Sequence, residues 1–347
     1  MILKTFMAAV LASAVLTAAV KKVCIQRGFV SIPRADRYNR KVIALGGGIA
    51  IFITTAGLTL AMVAMGTRLN IDDAECRYFA IITGLVAALF SLGLTDDIKR
   101  LGPFSKLIIQ FAVAIAAAIW ADVRVELFIP SKFITTLMSA FWIVLLMNAF
   151  NFLDNMDGLC AGIAAISMSV LCSVAIIGGQ TANALFMLIV IGSLCGFLIF
   201  NFPPAKIFMG DAGSLVIGFC VGAMTLKTTY YHHGNLGEGR AAVFIPLIAM
   251  AVPLYDFTSV TALRIKQGKS PFVGDTQHFS HRLKRRGLGD AQVALTLYLA
   301  TLCTGLGAVF LSRATFVQAI IIFIQTIMIL SIIAILETTG IKCESQD

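Results

Sequence analysis

Apolar stretches close to twenty residues long recur along the whole chain, separated by short polar breaks. Eleven can be counted, over 2–20, 43–65, 78–95, 104–121, 133–150, 159–177, 181–200, 212–226, 241–262, 291–311 and 315–336, with 212–226 the short one. A helix of about twenty residues crosses the ~30 Å hydrocarbon layer of a bilayer, so each run predicts a membrane-spanning helix. No polar stretch is long enough for a separate soluble domain, and neither an internal repeat nor a low-complexity linker interrupts the pattern. The expectation is an all-α, polytopic integral membrane protein in which residues 1–347 form one domain. Composition agrees: 59% hydrophobic and 13% charged residues is too apolar for a soluble chain of 347 residues.

Charge sets the orientation. Residues 21–42 carry Lys21, Lys22, Arg27, Arg34, Arg37, Arg40 and Lys41 against the single acid Asp36. So dense a basic loop stays cytoplasmic, which makes the first run an anchor and not a cleaved signal, despite Lys4 and the small residues Thr17-Ala18-Ala19. Alternating from that start places nineteen Lys and Arg on one side and eight on the other. The split predicts eleven spans in the cell (inner) membrane, with the amino terminus outside and the carboxyl terminus cytoplasmic. The formal charge of +9 is then membrane orientation and anion attraction, which excludes nucleic acid as a partner. Eight cysteines show no C-x-x-C pair, and several lie inside apolar runs, so buried free thiols are expected.

Five aspartates break the apolar pattern where runs end: Asp96-Asp97 in GLTDDIKR, Asp154 and Asp157 in NAFNFLDNMDGLCAG, and Asp211 in FMGDAGS. A carboxylate drawn toward hydrocarbon costs roughly 2.5–3.5 kcal/mol, so such residues usually mark function. Acids gathered on one face suit a hard cation such as Mg²⁺, which takes oxygen ligands and shares them with phosphates. Asp96 and Asp97 repel each other, so one can hold a metal while the other accepts a proton. Asn148, Asn151 and Asp154 recur every third residue along one helical edge, and Gly158 offers a break. Asp211 opens a glycine-rich helix start, whose free N–H groups attract phosphate. His278-Phe279-Ser280-His281-Arg282 precedes Lys284, Arg285 and Arg286, a set able to grip a diphosphate. His232 and His233 fall on the opposite face and are read as structural.

Taken in order, these segments resemble the polyprenyl-phosphate N-acetylhexosamine-1-phosphate transferase family, from the basic loop at residue 33 to the histidine loop near 287. The resemblance implies transfer of a sugar-1-phosphate from a UDP-sugar to a polyprenyl phosphate, releasing UMP, with Mg²⁺ as cofactor and Mn²⁺ as substitute. It implies the opening step of cell-envelope polysaccharide synthesis, on the cytoplasmic face. The histidine segment looks more like the GlcNAc-1-phosphate branch than the muramoyl-pentapeptide branch, so UDP-GlcNAc and undecaprenyl phosphate are the expected substrates. Another UDP-N-acetylhexosamine or UDP-MurNAc-pentapeptide stays open as donor, and a homodimer is compatible with the chain.

Residue by residue, the resemblance implies that Asp96 and Asp97 bind metal and activate the lipid phosphate. Asn148, Asn151, Asp154 and Asp157 match an N-x-x-N-x-x-D-x-x-D-G element lining the nucleotide-sugar site, with Asn151 near the metal. Asp211 matches a metal-binding aspartate, Phe208 an aromatic that stacks on uracil, and Asn201 a polar position upstream. His278 matches the first histidine of an H-x-H-H-type motif that contacts the diphosphate, joined by His281 and Arg282. Lys41 is the substrate-binding residue of the early loop. Two departures stand out. Ser280 replaces a frequent histidine, and restoring His there is expected to be tolerated. The early loop also lacks the histidine and proline that relatives often carry before the glycines supplied here by Gly46-Gly47-Gly48.

One rival class fails, and a second stays as a remote alternative. CDP-alcohol phosphotransferases use D-x-x-D-G-x-x-A-R; Asp154, Asp157, Gly158 and Ala161 fit, but Gly162 replaces the arginine and no acid follows before Asp211. A secondary transporter predicts repeats and charges at mid-membrane, whereas these acids lie at one face.

Overall fold

The computed structural model of the chain describes residues 2–31, 42–125, 129–228, 240–270, 278–311 and 314–338. Lys41, Asn39, His232 and His233 lie outside the described residues. In hydrocarbon every backbone N–H and C=O must be paired within its own segment, so the apolar runs become helices. They are α1 (Ile2–Gln26), α2 (Gly47–Ala64), the short α3 (Gly66–Leu69), α4 (Asp73–Lys99), α5 (Pro103–Trp120), α6 (Lys132–Leu153) and α7 (Leu159–Ile177). The chain continues with α8 (Thr181–Asn201), α9 (Asp211–Lys227), α10 (Ile245–Ala249), α11 (Ala251–Lys266), α12 (Phe279–Arg285), α13 (Asp290–Leu311) and α14 (Phe316–Thr338). Among the described residues, nine single helices are long and apolar enough to cross a membrane. The protein is a helical, multi-pass membrane protein.

Two of the eleven apolar runs depart from the simple picture. The run 212–226 is α9, only 17 residues long. The run 241–262 is not one straight helix but a pair bent by 62°. The bend has a local cause. Pro253 lacks the N–H that would bond the Ala249 carbonyl, and its ring crowds that oxygen. The freed carbonyl accepts instead from Ser167 Oγ of α7, at 3.4 Å.

A small sheet corrects the purely helical expectation. β1 (Val30–Ser31) pairs antiparallel with β2 (Ile43–Leu45), which pairs parallel with β3 (Ile207–Phe208). Strands of two and three residues are too short to show alternation in sequence. They tie the ends of the basic loop to the segment just before Asp211. Gly46 N donates to Phe208 O at 3.3 Å and Gly48 N to Met209 O at 2.9 Å, reinforcing that join.

The core sits around α9. Every residue from Ala212 to Thr225 is buried, as expected for a helix that is apolar all round. α4, α6, α2 and α7 surround it. By contrast α1 and α14 lie at the edge with large apolar side chains outward, for example Leu3 at 70% and Phe316 at 79% exposure. Bilayer lipid would cover such faces. The described cysteines are all unpaired.

Backbone geometry at the head of α9 positions the polar residues. α4 passes so close that a Cβ on Gly93 would lie 2.5 Å from Ala212 N, a contact only glycine permits. One turn on, Asp97 therefore meets the start of α9. Gly210 adopts φ 75° and ψ 173°, a region essentially restricted to glycine, and a Cβ there would stand 2.5 Å from Asp97 Oδ2. Gly210→Ala should therefore destabilise the fold by about 1–3 kcal/mol through backbone strain, before any clash is counted. Thermal unfolding of the detergent-solubilised protein measures this; an unchanged midpoint would show that the turn is not constrained as described.

Candidate active site

Asp97 reaches across from α4 to cap α9. Its Oδ1 accepts from Asp211 N at 2.9 Å and its Oδ2 from Ala212 N at 3.1 Å. Two of the N–H groups left over at a helix start are thus satisfied by a charge that also suits the positive end of the helix dipole. Sequence reading gives Asp97 the work of metal ligand and base. The structure gives it a capping task that occupies both oxygens.

The carboxylate of Asp211 stands at the same point. Asn151 Nδ2 from α6 donates to Asp211 Oδ1 at 3.1 Å and to Ser214 Oγ at 2.9 Å. Lys106 Nζ from α5 donates to Asp96 Oδ2 at 3.0 Å and is also ion-paired with Asp211 Oδ2. Asp96 Oδ1 accepts from Leu101 N at 2.6 Å, which ties the α4–α5 turn to the acid. Four helices therefore deliver Asp96, Asp97, Lys106, Asn151 and Asp211 to one place. Lys106 is new: by sequence it is only one of the loop charges, yet its ammonium lies between two carboxylates.

A cavity of about 180 Å³ opens beside this cluster, lined by Leu101, Pro103, Lys106, Asn148, Asn151 and Phe152. Asn148 Nδ2 donates to Gln110 Oε1 at 2.8 Å and to Val144 O at 2.8 Å, so α5 fixes its orientation. Among the described residues no group of three His, Cys, Asp or Glu side chains forms a metal cage of its own.

The turn between α6 and α7 shows which predicted residues serve structure. Asp154 is the half-buried C-cap of α6. Asp157 Oδ2 accepts from Ala205 N at 2.9 Å, and burial pushes its carboxyl above the usual range. Asn201 is 4% exposed and uses both ends of its amide internally: Oδ1 accepts from Gly158 N at 3.0 Å, and Nδ2 donates to Ile207 O at 2.8 Å. The expected substrate contact of Asn201 is thereby replaced by a staple between the α6–α7 turn and β3. Phe208 lies half-buried in β3, beside that staple.

The histidine segment folds as α12. His278 is its N-cap, with Nδ1 3.0 Å from Asp256 Oδ2, while Phe279 N donates to Asp256 Oδ1 at 3.1 Å. Asp256 is fully buried in α11. The His278 ring stands edge-on to Phe152 at 5.4 Å between centroids, so the histidine is one side chain away from the cavity wall. Arg264 lies over the other side of this aromatic, 4.8 Å from its centroid. Ser280 is fully buried and donates to Asn155 Oδ1 at 2.6 Å. A histidine restored at 280 would therefore have to replace this bond and be accommodated in a buried place. Arg282 also differs from expectation. It is paired with Glu337 of α14 at 3.0 Å.

With this geometry in hand, comparison with known proteins gives a consistent answer. A family model described as glycosyl transferase family 4 matches residues 79–229, which hold the acidic cluster and its supports. A Bacillus subtilis protein named probable undecaprenyl-phosphate N-acetylglucosaminyl 1-phosphate transferase is 32% identical, over 99% of this chain and 93% of its own. The chain belongs to glycosyl transferase family 4. Further family 4 relatives are the undecaprenyl-phosphate alpha-N-acetylglucosaminyl 1-phosphate transferases of Yersinia pestis and Escherichia coli K12. The first is 28% identical over 86% of this chain and 80% of its own. The second is 27% identical over 81% and 76% respectively.

The buried His281 of α12 has a clear pH signature. Burial, followed by the neighbouring His278, Lys284 and Arg285, lowers the His281 pKa to about 4. The folded protein therefore keeps His281 neutral while an unfolded chain protonates it below about 6.5. Its contribution to stability is complete above about 6.5 and is lost as pH falls toward the folded value. His281→Asn should remove that part of the acid sensitivity. Melting temperatures of both proteins across this window measure it, and parallel pH profiles would contradict the assignment.

Proposed function

We propose that the chain transfers GlcNAc-1-phosphate from UDP-GlcNAc to undecaprenyl phosphate, releasing UMP, as the opening step of cell-envelope polysaccharide synthesis. The reaction would take place at the cytoplasmic face of the cell membrane, in a bundle of eleven spans with the amino terminus outside. The observation that carries this reading is the direct contact of Asp96, Asp97, Lys106 and Asn151 around Asp211, beside a cavity at one end of the bundle. The names of the Bacillus, Yersinia and Escherichia relatives carry the same transferred group and acceptor, N-acetylglucosaminyl 1-phosphate and undecaprenyl phosphate.

The donor set fits Mg²⁺, with Mn²⁺ as substitute. Mg²⁺ is usually held by one or two carboxylates together with waters and substrate phosphates, so a complete protein cage is not required. Asp211 and Asn151 are the residues that would hold it, and the Lys106 ammonium already shows that this place favours positive charge. When bound, the ion supplies charge that neutralises the diphosphate as it reacts.

The rest of the chemistry belongs to the chain. An oxygen of the lipid phosphate forms a bond to the β-phosphorus of the donor, the bond to the bridging oxygen breaks, and that oxygen leaves on UMP. A phosphate monoester loses its second proton near pH ~6, so the nucleophile is largely ionised at neutral pH. No strong base is needed, in keeping with Asp97 serving as a cap. Lys106 offsets repulsion between two anionic substrates, and Asn148 and Asn151 orient what enters the cavity. Asp256 fixes the His278 ring through Nδ1, which leaves Nε2 for the diphosphate.

Purified protein, undecaprenyl phosphate and radiolabelled UDP-sugars test this directly, and a lipid product from UDP-GlcNAc is expected. Asp211→Asn should abolish transfer while the protein still inserts, with metal dependence and turnover falling together. Near-normal turnover of that variant at limiting Mg²⁺ would remove Asp211 from the metal site. Orientation is tested separately. Single cysteines placed in 263–290, in a background lacking other thiols, should react only from the cytoplasmic side, and labelling from outside intact cells would overturn the single-faced site.

A further inference from the structure

The helix α12 has seven residues, too few to be stable alone, so its neighbours must hold it. Three attachments come from elements already described. Asp256 holds its start, Ser280 reaches Asn155, and Lys284 near its end pairs with Asp290 at 2.5 Å. A fourth comes from α14, far along the chain and otherwise at the edge of the bundle. The buried side of α14 is the stripe Ala319, Ile322, Thr326 and Ile333, and it ends on a carboxylate, Glu337, only 8% exposed.

Glu337 is fully engaged. Its Oε2 accepts from Arg282 Nε at 3.1 Å, both oxygens accept from Arg282 Nη2 at 3.0 Å, and Oε1 accepts from Tyr255 Oη at 2.7 Å. Arg282 Nη2 also donates to Ser259 Oγ at 3.0 Å. Arg286, one turn on, donates to the Glu337 carbonyl at 3.1 Å and the Thr338 carbonyl at 3.0 Å. Those carbonyls belong to the last turn of α14, and a basic side chain near a helix C-terminus is a favoured partner for them. One face of α12 is therefore fastened to the end of α14, while His278 at its start faces Phe152.

We propose that Glu337 is a positioning residue for the transfer reaction, holding α12 through Arg282 so that His278 and His281 keep a fixed place toward the donor diphosphate. A carboxylate on a lipid-edge helix is costly unless paired, and an arginine losing its buried partner must reorient. Removing Glu337 would free Arg282 and loosen α12 without touching the cluster around Asp211. The proposal rests on the donor-site reading above, and its test separates the two.

The test compares full-length wild type, Glu337→Ala, Glu337→Gln, Arg282→Ala and the double alanine variant. Displacements near 1 Å can cost up to about a hundredfold, so Glu337→Ala should raise KM for UDP-GlcNAc roughly tenfold, leaving KM for undecaprenyl phosphate within about twofold. Glu337→Gln keeps the Tyr255 bond and should fall between, while the double variant should be no worse than either single one. Hydrogen exchange should quicken in residues 278–286 and stay unchanged in α7 and α8. Unaltered donor KM in Glu337→Ala, additive single effects, or equal rises in both KM values with faster exchange throughout would each overturn the proposal. If wild type transfers nothing from UDP-GlcNAc, the functional reading falls, and exchange in α12 still decides whether Glu337 holds that helix.

Discussion

The interaction on which the site depends is the capping of α9 by Asp97. It joins residues more than a hundred positions apart, with one carboxylate meeting two consecutive backbone amides. A charged acceptor on N–H groups is about twice as strong as a neutral one, and here it also meets the positive end of a helix dipole. Neighbouring choices follow from it. Gly93 lets α4 approach, Gly210 makes the turn that presents the amides, and Asp211 is left with its carboxylate pointing at Lys106 and Asn151. Placing two carboxylates at one helix start would normally repel, and the Lys106 ammonium relieves this by pairing with Asp96 and Asp211 together.

The cap also explains the division of labour among the acids. A residue that must hold a helix start in register cannot also move to accept a proton without releasing it. Asp97 is therefore suited to geometry and leaves the Asp211 carboxylate to Lys106 and Asn151, while Asp157 and Asn201 fasten the α6–α7 turn to the strand that leads into Gly210. The small sheet continues that path. β3 receives the ends of the basic loop through β2, so those ends are linked by backbone hydrogen bonds to Phe208 and Met209, just before the turn at Gly210.

Most of the fold was legible because hydrocarbon leaves the backbone few options, and nine of the apolar runs are single helices long enough to span. The bend at Met250 was hidden because the run 241–262 is apolar on both sides of it, although Pro253 was the available signal. Asp211, Asn151 and Asp96 were legible as acids and amides at run ends, and the structure does bring them together. Lys106, Gln110 and Asp256 were missed because they were read as part of a hydrophobic run or a loop count, and Glu337 because it stands just past the run 315–336. Asp256 lies inside the run 241–262, where the rule that flagged the other aspartates applies with more force. Arg282 shows the converse error. A motif neighbour was given to the substrate when its partner was a carboxylate 55 residues away, a pairing that only the fold reveals.

These errors point the same way. In a soluble enzyme, surplus charged groups can rest in water, but in this bundle several polar side chains near the cluster are held by others. Lys106 rests on two acids, His278 on Asp256, Arg282 on Glu337, and Asn148 on Gln110. Desolvation makes an unpartnered group expensive, so the polar groups gathered here come with partners from other helices. These partners are drawn from α4, α5, α9, α11 and α14, and the number of helices committed to one small region follows from the low dielectric around it as much as from the chemistry.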